Sequence, residues 1–358
     1  MRNLACTAAA LGLAAGVGVA SASAEAIITN GFVTLGVDDF GQLNIPGGTS
    51  SPVSGTTVVG LRHNATGLES TAHGCLCEGW GIGIADAGGA RVASGSANND
   101  RGVDALSFVS FGSGPADATS VTELRNDANT QSLLRITHEF GPAAETPDLY
   151  RVKVKVDNIS GAVVEDLRYT RTFDWDIEPD TFSEVVTHAG VASTPSVLLA
   201  INNGFVSSDP FDSGRTPSLV DGTPGEGIGD FVDLGPADHG SNFDFGFGGL
   251  GIGESFEFDI FYGATRTETA AETALGEVGA ELFSLGQAGT DPDGTGVNTS
   301  NQETATFIFA FSGIGGEIII PDPTPAPNGE IPLPAAFWLL ATGVGALGAR
   351  RVLRAPKA

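Results

Sequence analysis

The fold is decided by the stretch Tyr150–Asp157, which reads YRVKVKVD. Apolar and charged side chains alternate along it. Because successive side chains of a β-strand point to opposite faces, this alternation predicts a strand with one buried face. Similar patterns occur in four further segments, namely Ala105–Phe111, Leu133–Phe140, Phe256–Tyr262 and Thr304–Phe311. Clusters of Gly, Asn, Asp and Pro separate such segments and predict turns, so the chain is expected to be mostly β.

One segment has helical periodicity instead. Between Thr267 and Leu285 the apolar residues follow steps of four, three, four and three, which places them on one face of an α-helix. Thr269 and Glu272 fit a capping box, and Gly286 is the expected stop. We therefore expect an amphipathic helix near 267–285 that packs on a sheet.

These elements together predict an all-β fold, namely a large β-sandwich of the supersandwich kind seen in carbohydrate-handling folds, with one appended helix. The sandwich body is expected to span residues 25–316. A Gly- and Pro-rich stretch within 207–230 is either a surface excursion or a boundary between two sandwiches.

The charge of the chain excludes one class of partner. Its 358 residues include 43 Asp and Glu against 17 Lys and Arg, for a formal net charge of −26. All 43 acidic residues but only 12 basic ones lie in 25–330, which gives that region a net charge of −31. Such a surface repels phosphate backbones, so we expect no nucleic acid partner. It suits solubility in salt-rich media and weak binding of divalent cations.

The first 24 residues have the composition of a secretory signal peptide. Arg2 precedes an apolar run from Leu4 to Ala20, and small residues at Ala22 and Ala24 fit a signal-peptidase site. Cleavage after Ala24 would leave Glu25 as the first mature residue, and Ala20-Ser21-Ala22 is a usable alternative site. We expect signal peptidase as a partner and export across the inner membrane.

The other end is predicted to be an anchor. A Pro-rich linker at 317–330 leads to an uncharged apolar segment, Ala335–Ala349, and then to a basic end. As a helix the 15-residue segment would span roughly 22 Å, less than the ~30 Å of a bilayer core. The membrane-stop cations, which should stay in the cytoplasm, are Arg350, Arg351, Arg354 and Lys357.

The tail carries a short motif before its apolar segment. That motif is Ile331-Pro332-Leu333-Pro334-Ala335. With the apolar segment and the basic end, it resembles the sorting signal of VPLPA-CTERM proteins, a branch of the PEP-CTERM family of exported bacterial proteins. The resemblance covers 331–358, and Ile331 replaces the usual Val. It implies recognition by an exosortase-type enzyme, cleavage near the motif and delivery to the cell surface or extracellular matrix. It implies no activity, because the signal is appended to unrelated bodies.

Three carboxylates near the middle of the chain form the richest candidate site. In an extended segment, Asp174, Asp176 and Glu178 lie on the face opposite Phe173, Trp175 and Ile177, with neighbours about 7 Å apart. Their repulsion must be offset by calcium, by an Arg such as Arg168 or Arg171, or by solvation. Two of them are also spaced to act as acid and base on a glycosidic bond.

Two shorter motifs also carry potential chemistry. Asp291 and Asp293 begin a loop with oxygen ligands at alternate positions, which fits either a calcium loop or a Gly-rich hairpin loop. Cys75 and Cys77 are expected to form a local disulfide in an oxidising exterior. A metal site with His73 and intermolecular pairing are the alternatives.

Known catalytic signatures are missing from the sequence. It contains no HExxH, P-loop or GxSxG motif, and its GxGxxG match at 246–251 precedes a strand-like segment rather than a helix. We therefore expect an exported structural or binding protein of the cell surface or extracellular polysaccharide, assisted by calcium. The alternative is a carbohydrate-active enzyme that uses the carboxylates of 174–180.

Overall fold

The computed structural model describes residues 24–72, 74, 78–218, 220, 226–289 and 305–319. This part of the chain is mostly β, as predicted, with 18 strands and a single α-helix. The elements are, in chain order, β1 (Ala26–Thr29), β2 (Val33–Val37), β3 (Leu61–His63), β4 (Glu78–Ala85), β5 (Arg91–Asn98), β6 (Gly102–Asp104), β7 (Leu106–Ser113), β8 (Ala118–Arg125), β9 (Ser132–Pro142), β10 (Leu149–Asn158), β11 (Asp166–Asp174), β12 (Glu184–Ala189), β13 (Val197–Ile201), β14 (Phe231–Ala237), β15 (Gly240–Gly246), β16 (Ser255–Thr265), α1 (Glu268–Val278), β17 (Leu282–Ala288) and β18 (Thr306–Ser312).

The largest sheet has nine strands in the order β14-β12-β17-β18-β16-β10-β9-β8-β7. Strand β10 contains the YRVKVKVD stretch and pairs antiparallel with β9 and β16. Its residues Val152, Val154 and Val156 are fully buried, whereas Lys153 and Lys155 lie on the other face. The alternation in the sequence therefore identified the strand and the face that enters the core.

Two smaller sheets complete the fold. Six strands lie in the order β13-β15-β11-β4-β5-β6, and the first three strands form a separate sheet, β1-β2-β3. Side chains from all three sheets contribute to one apolar core. Tyr169 of β11 meets Phe258 of β16 edge-on at 5.0 Å between ring centroids, and Phe173 of β11 stacks on Phe309 of β18 at 5.0 Å. The nine-stranded and six-stranded sheets therefore pack face to face through aromatic side chains.

Helix α1 begins within the predicted range but ends earlier, and its cap is Thr267 rather than the predicted Thr269, which lies inside the helix. The Thr267 hydroxyl caps its N-terminus by accepting the Ala270 N–H at 3.2 Å. Gly279 ends it at φ 64°, a left-handed conformation that glycine adopts at little cost. The prediction of a helix as far as Leu285 was wrong, because residues from Leu282 onward form the buried strand β17.

In both large sheets, strands that precede residues 207–230 in sequence pair with strands that follow them. Strand β11 pairs with β15, and β12 pairs with β14 and β17. At the last described residue, the Ile319 N–H donates to the carbonyl of Ala280 at 2.9 Å.

The predicted targeting segments are mostly outside the described residues. This applies to 1–23 and to the sorting tail at 331–358, whereas Ala24 and Glu25 are exposed and directly precede β1. Among the described residues, no helix is long and apolar enough to cross a bilayer.

Candidate functional site

The segment that follows β11 keeps alternating after the strand ends at Asp174. Phe173, Trp175 and Ile177 are buried, and the Trp175 indole N–H donates to the hydroxyl of Ser284 on β17 at 3.1 Å. This confirms the predicted apolar face of the segment. It also places the carboxylates of Asp174 and Asp176 on the opposite side of the segment.

That second side is buried as well, rather than open to solvent. Asp174 and Asp176 are each 1% exposed, because other parts of the chain cover them. The backbone of Gly204 lies against the Asp174 side chain, and a Cβ placed on Gly74 would lie 3.2 and 3.3 Å from the two carboxylate oxygens of Asp176. The Asp176 N–H donates to the carbonyl of Ser70 at 2.7 Å.

Two further carboxylates lie near this pair. Glu184 is the first residue of β12 and is fully buried, and Asp238 is exposed in the turn between β14 and β15. Charges on Asp176, Asp238 and Glu184 all act on the Asp174 carboxyl. We call Asp174, Asp176, Glu184 and Asp238 the acidic cluster.

Asp176 and Glu184 have few hydrogen-bond donors among the described residues. One Glu184 oxygen accepts the N–H groups of Phe182 at 2.8 Å and Ile177 at 3.2 Å. Within the described residues, the other Glu184 oxygen and both Asp176 oxygens accept no hydrogen bond. A buried carboxylate without hydrogen-bond donors is costly to ionise, so these groups favour the protonated form.

The pKa values follow from this environment. Burial, with a contribution from Asp238, raises the pKa of Asp176 to about 8. Burial, with a contribution from Asp176, raises the pKa of Glu184 to about 9. Burial and then the charges of its neighbours raise the pKa of Asp174 well above its ordinary value. Asp176 and Glu184 therefore hold protons at neutral pH.

The described basic side chains near the acidic cluster supply little compensating charge. Burial lowers the pKa of His239 to about 4 and that of His188 to about 3, so both rings are neutral at pH 7. The His239 ring donates to the carbonyl of Glu184 at 3.0 Å. Arg168 and Arg171, expected as partners of the carboxylate row, instead form ion pairs with Asp166 and Glu78.

Glu178 is separated from the acidic cluster by its contacts. Its carboxylate accepts the Ser51 hydroxyl at 2.5 Å, the Glu69 N–H at 3.0 Å and the Ser54 N–H at 3.2 Å. Burial alone would raise its pKa, but these hydrogen bonds outweigh that effect and lower it. Glu178 therefore stays ionised and fastens the 51–54 and 69 segments to the body.

The calcium prediction stays a prediction. In the described part of the chain, no group of three or more His, Cys, Asp or Glu side chains is arranged to hold a metal ion. Asp291 and Asp293 lie outside the described residues, as do Cys75 and Cys77 with their predicted disulfide.

An open depression of about 580 Å³ lies elsewhere on the surface. It is lined by Thr29, Asn30, Ala116 and residues 142–147, and no member of the acidic cluster lines it. The acidic cluster thus contains two buried, protonated acids, Asp176 and Glu184, beside the buried Asp174 and the exposed Asp238. Such acids can hold and release protons, which is the chemistry of a general acid or of a pH-dependent contact.

Sequence reasoning found half of the cluster. Glu184 and Asp238 were missed because they come from β12 and from the β14–β15 turn, which only the fold brings beside Asp174. The available signal was a carboxylate at the start of an apolar strand, where Glu184 precedes Val185 and Val186.

Comparisons with known proteins add little to this description. No protein family model matches the chain, and no curated protein matches it. A solved structure titled "Crystal Structure Analysis of HI1317" is 7% identical and covers 81% of this chain and 86% of its own, with a TM-score of 0.25. A likeness at that score carries no argument about fold or function.

Proposed function

We propose that the chain is an exported surface or extracellular-matrix protein whose β body has a structural or binding role. In this proposal the body is a two-layer β-sandwich of the supersandwich kind. Signal peptidase removes the leader, an exosortase-type enzyme processes the tail, and extracellular polysaccharide is the binding partner.

The observation that supports this proposal best is how the C-terminal end of the body is fastened. The Glu281 carboxylate accepts the N–H groups of Gly313, Ile314 and Gly316 at 2.8–3.0 Å. The Ile319 N–H then bonds to Ala280, two residues before Pro321 begins the Pro-rich linker. A body that is ordered up to the start of a Pro-rich linker suits a protein that is held at the cell surface through its C-terminal tail.

Intact-mass spectrometry of the protein recovered from cells and medium tests the proposal. We expect a mature N-terminus at Glu25 and loss of the tail near 331–335. A variant with Pro332→Ala and Pro334→Ala should accumulate as the uncleaved membrane form. Recovery of the full chain from the cytoplasm with its leader intact would reject the proposal.

Binding is tested separately with the same protein. Pull-down on insoluble polysaccharides isolated from the producing cells should retain the chain and release it when soluble polysaccharide is added. If the chain is exported but is not retained on the polysaccharide, the binding part of the proposal is wrong and only the structural role stands.

A carbohydrate-active enzyme is the second candidate, and one observation favours it. Asp176 has a pKa of about 8, which suits a general acid near neutral pH. Screening polysaccharides for newly formed reducing ends tests this reading. Activity that survives unchanged in Asp176→Asn and Glu184→Gln would remove the acidic cluster from the mechanism.

A further inference from the structure

A segment of irregular chain lies across the six-stranded sheet, on the face that does not enter the apolar core. We call this segment, residues 204–216, the strap. Where the strap contacts β4, the strand has glycine. A Cβ on Gly81 would lie 1.9 Å from the Ser208 carbonyl oxygen, and one on Gly83 would lie 2.4 Å from the Phe211 ring. The alternating glycines of β4 therefore let another part of the backbone lie directly on the sheet.

Side chains fasten the strap to the sheet. The Asn98 amide donates to the Ser208 hydroxyl at 3.0 Å, and that hydroxyl donates to the hydroxyl of Thr172 at 3.3 Å. The Ser94 hydroxyl donates to the Asp209 carboxylate at 3.1 Å. Among the described residues, no backbone-to-backbone hydrogen bond joins the strap to a strand. The strap is thus a cover laid on the sheet and not a part of its ladder.

A buried ion pair holds the far end of the strap. The Arg215 guanidinium lies 2.5 Å from the Asp244 carboxylate of β15, and both side chains are 5% exposed. Asp244 also accepts the Thr170 hydroxyl at 2.8 Å and the Asn242 amide at 3.1 Å. Its charge is therefore balanced by the strap from above and by hydrogen bonds from within the sheet.

The surface beneath the strap is polar although it is buried. An antiparallel sheet ordinarily turns such a face to water. Phe205 and Phe211 of the strap do not belong to the apolar core. A segment with few buried apolar contacts opens locally at low cost, and opening would expose hydroxyl, amide and carboxylate groups on one surface. We call this surface the polar face; its side chains are Ser94, Asn98, Thr170, Thr172, Asn242 and Asp244.

We propose that the polar face is the polysaccharide site of this chain and that the strap covers it in an autoinhibited state. The inference rests on the proposed function, which names polysaccharide as the partner. Each sugar hydroxyl both donates and accepts, so it can replace the contacts of Ser208 and Asp209. A peptide would instead be recognised through its backbone at a sheet edge. The polysaccharide is neutral, because a net charge of −26 repels an acidic one.

Ser208→Ala tests opening and binding together. It removes the strap hydroxyl that contacts Asn98 and Thr172, and it leaves every residue of the polar face in place. Because the ligand binds only the open fraction, affinity should rise by the same factor as that fraction. We expect both to rise about fivefold, the usual effect of losing one hydrogen-bonding group.

Trypsin measures the open fraction. Arg215 is the only Lys or Arg between positions 172 and 265, and its side chain is buried while it pairs with Asp244. Mass spectrometry of the full chain follows cleavage after Arg215. Retention on the neutral fraction of polysaccharide isolated from the producing cells gives the Kd. Ser213→Ala, a change at an exposed serine of the strap, is the matched control and should alter neither quantity.

Two further variants separate the strap from the polar face. Gly81→Ala places a methyl group against the Ser208 carbonyl and should speed cleavage after Arg215. Gly141→Ala, at which a Cβ meets nothing within 4 Å, should not. Thr170→Val removes a hydroxyl of the polar face and should weaken retention of the Ser208→Ala variant. Circular dichroism and melting temperature establish that each variant is folded.

The outcomes distinguish this inference from the proposed function. Equal retention of the wild type, Ser208→Ala and its Thr170→Val double variant would put the polysaccharide site elsewhere and overturn this inference alone. Unchanged cleavage after Arg215 in both Ser208→Ala and Gly81→Ala would also overturn it, because the strap would not open. If no variant is retained, polysaccharide is not the partner and the site falls with it.

Discussion

Asp176 and Glu184 hold protons because they are buried and the described residues offer their oxygens few donors and no cation. Asp176 lies between Ser70 and Gly74, and the neighbouring ring of His239 is neutral. Ionising either carboxyl would place a negative charge in a buried site beside other acids. The acidic cluster therefore links the stability of the body to pH.

Asp176→Asn tests this link. The pKa of Asp176 is about 8 in the folded chain and about 3.9 in an unfolded chain, so folding takes up a proton between those values. Stability from this group is complete below about pH 4 and is lost as the pH rises through about 8. The Asn variant keeps a neutral side chain throughout, so it should match the wild type at about pH 3.5, where the Asp176 carboxyl is protonated in the folded chain and mostly protonated in the unfolded chain. It should exceed the wild-type free energy of unfolding by at least about 1.4 kcal/mol near pH 9.

Urea titration at both pH values measures the difference. Glu165→Gln, a change at an exposed carboxylate, is the control and should show no such pH dependence. An Asn variant that is less stable than the wild type near pH 9 would mean that the ionised carboxylate has a favourable partner.

Glu178→Gln should behave in the opposite way. Three hydrogen bonds favour the ionised form of Glu178 and lower its pKa, so its contribution is present above about pH 4.3 and is lost as the pH falls below that value. We expect the variant to lose about 1–3 kcal/mol at pH 7, and the loss to shrink in acid. Thermal unfolding from about pH 3 to 7 measures this, and a loss that is constant with pH would contradict it.

At this scale the sequence predicts one side of a strand better than the other. The alternation correctly places Phe173, Trp175 and Ile177 in the core. It cannot show that the opposite side is covered, because the covering residues, such as Gly74 and Gly204, are distant in sequence. Of the expected row of three carboxylates, Asp174 and Asp176 therefore lie in the acidic cluster, whereas Glu178 lies in a separate site that supplies hydrogen-bond donors.

The elements near the C-terminus of the body show a similar limit. Helix α1 and strand β17 are separated by Gly279, yet their apolar residues continue one helical spacing across the break. The spacing predicted the helix correctly but could not show its end, since a fully buried strand is apolar on both faces. Gly279, at which the helix ends in a left-handed conformation, was the sequence signal for the shorter helix.

Glu281 joins these elements to the last described segment, and Glu281→Ala tests that connection. The change removes the acceptor for three N–H groups between Gly313 and Gly316. We expect faster hydrogen exchange at those amides and a loss of about 1 kcal/mol of stability, because the site is partly open to water. Glu281→Gln keeps one oxygen and should restore part of the protection.

Glu277→Gln, on the exposed side of α1, is the matched control and should leave these amides unchanged. Equal exchange rates in the wild type and in Glu281→Ala would show that the segment is held by other contacts.

For the whole molecule, charge and hydrophobic burial oppose each other. The aromatic core between the large sheets stabilises the fold, whereas a net charge of −26 destabilises the compact state. Surface ion pairs such as Lys153 with Glu257, at 3.8 Å and half exposed, offset little of this repulsion.

Salt should therefore raise the melting temperature. Screening shortens the range of the repulsion to about 10 Å at 0.1 M ionic strength and further above it. We expect the melting temperature to rise as sodium chloride is added, as measured by calorimetry. A melting temperature that falls as salt is added would mean that attractive ion pairs outweigh the repulsion between like charges.

Divalent ions at matched ionic strength separate screening from binding. The calcium prediction at Asp174 and Asp176 requires a rise with calcium that magnesium does not produce, and that Asp176→Asn abolishes. Equal effects of the two ions would remove the calcium site.

The general architecture was accessible from the sequence, and the connections between strands were not. Period-two segments such as Tyr150–Asp157 established a mostly β chain. Which strands become neighbours depends on pairings across long stretches of chain, and local periodicity carries no information about them.

The pairing of β10 with β16 has a consequence for how the body matures. These neighbours in the nine-stranded sheet are separated by about 100 residues of chain. If the chain is exported as proposed, a polypeptide that emerges gradually from a translocation channel would leave one side of β10 unpaired until about the last fifth of the body arrives. Under that proposal we expect the newly emerged portion to need a holding chaperone, and assembly to finish only when nearly the entire body has crossed.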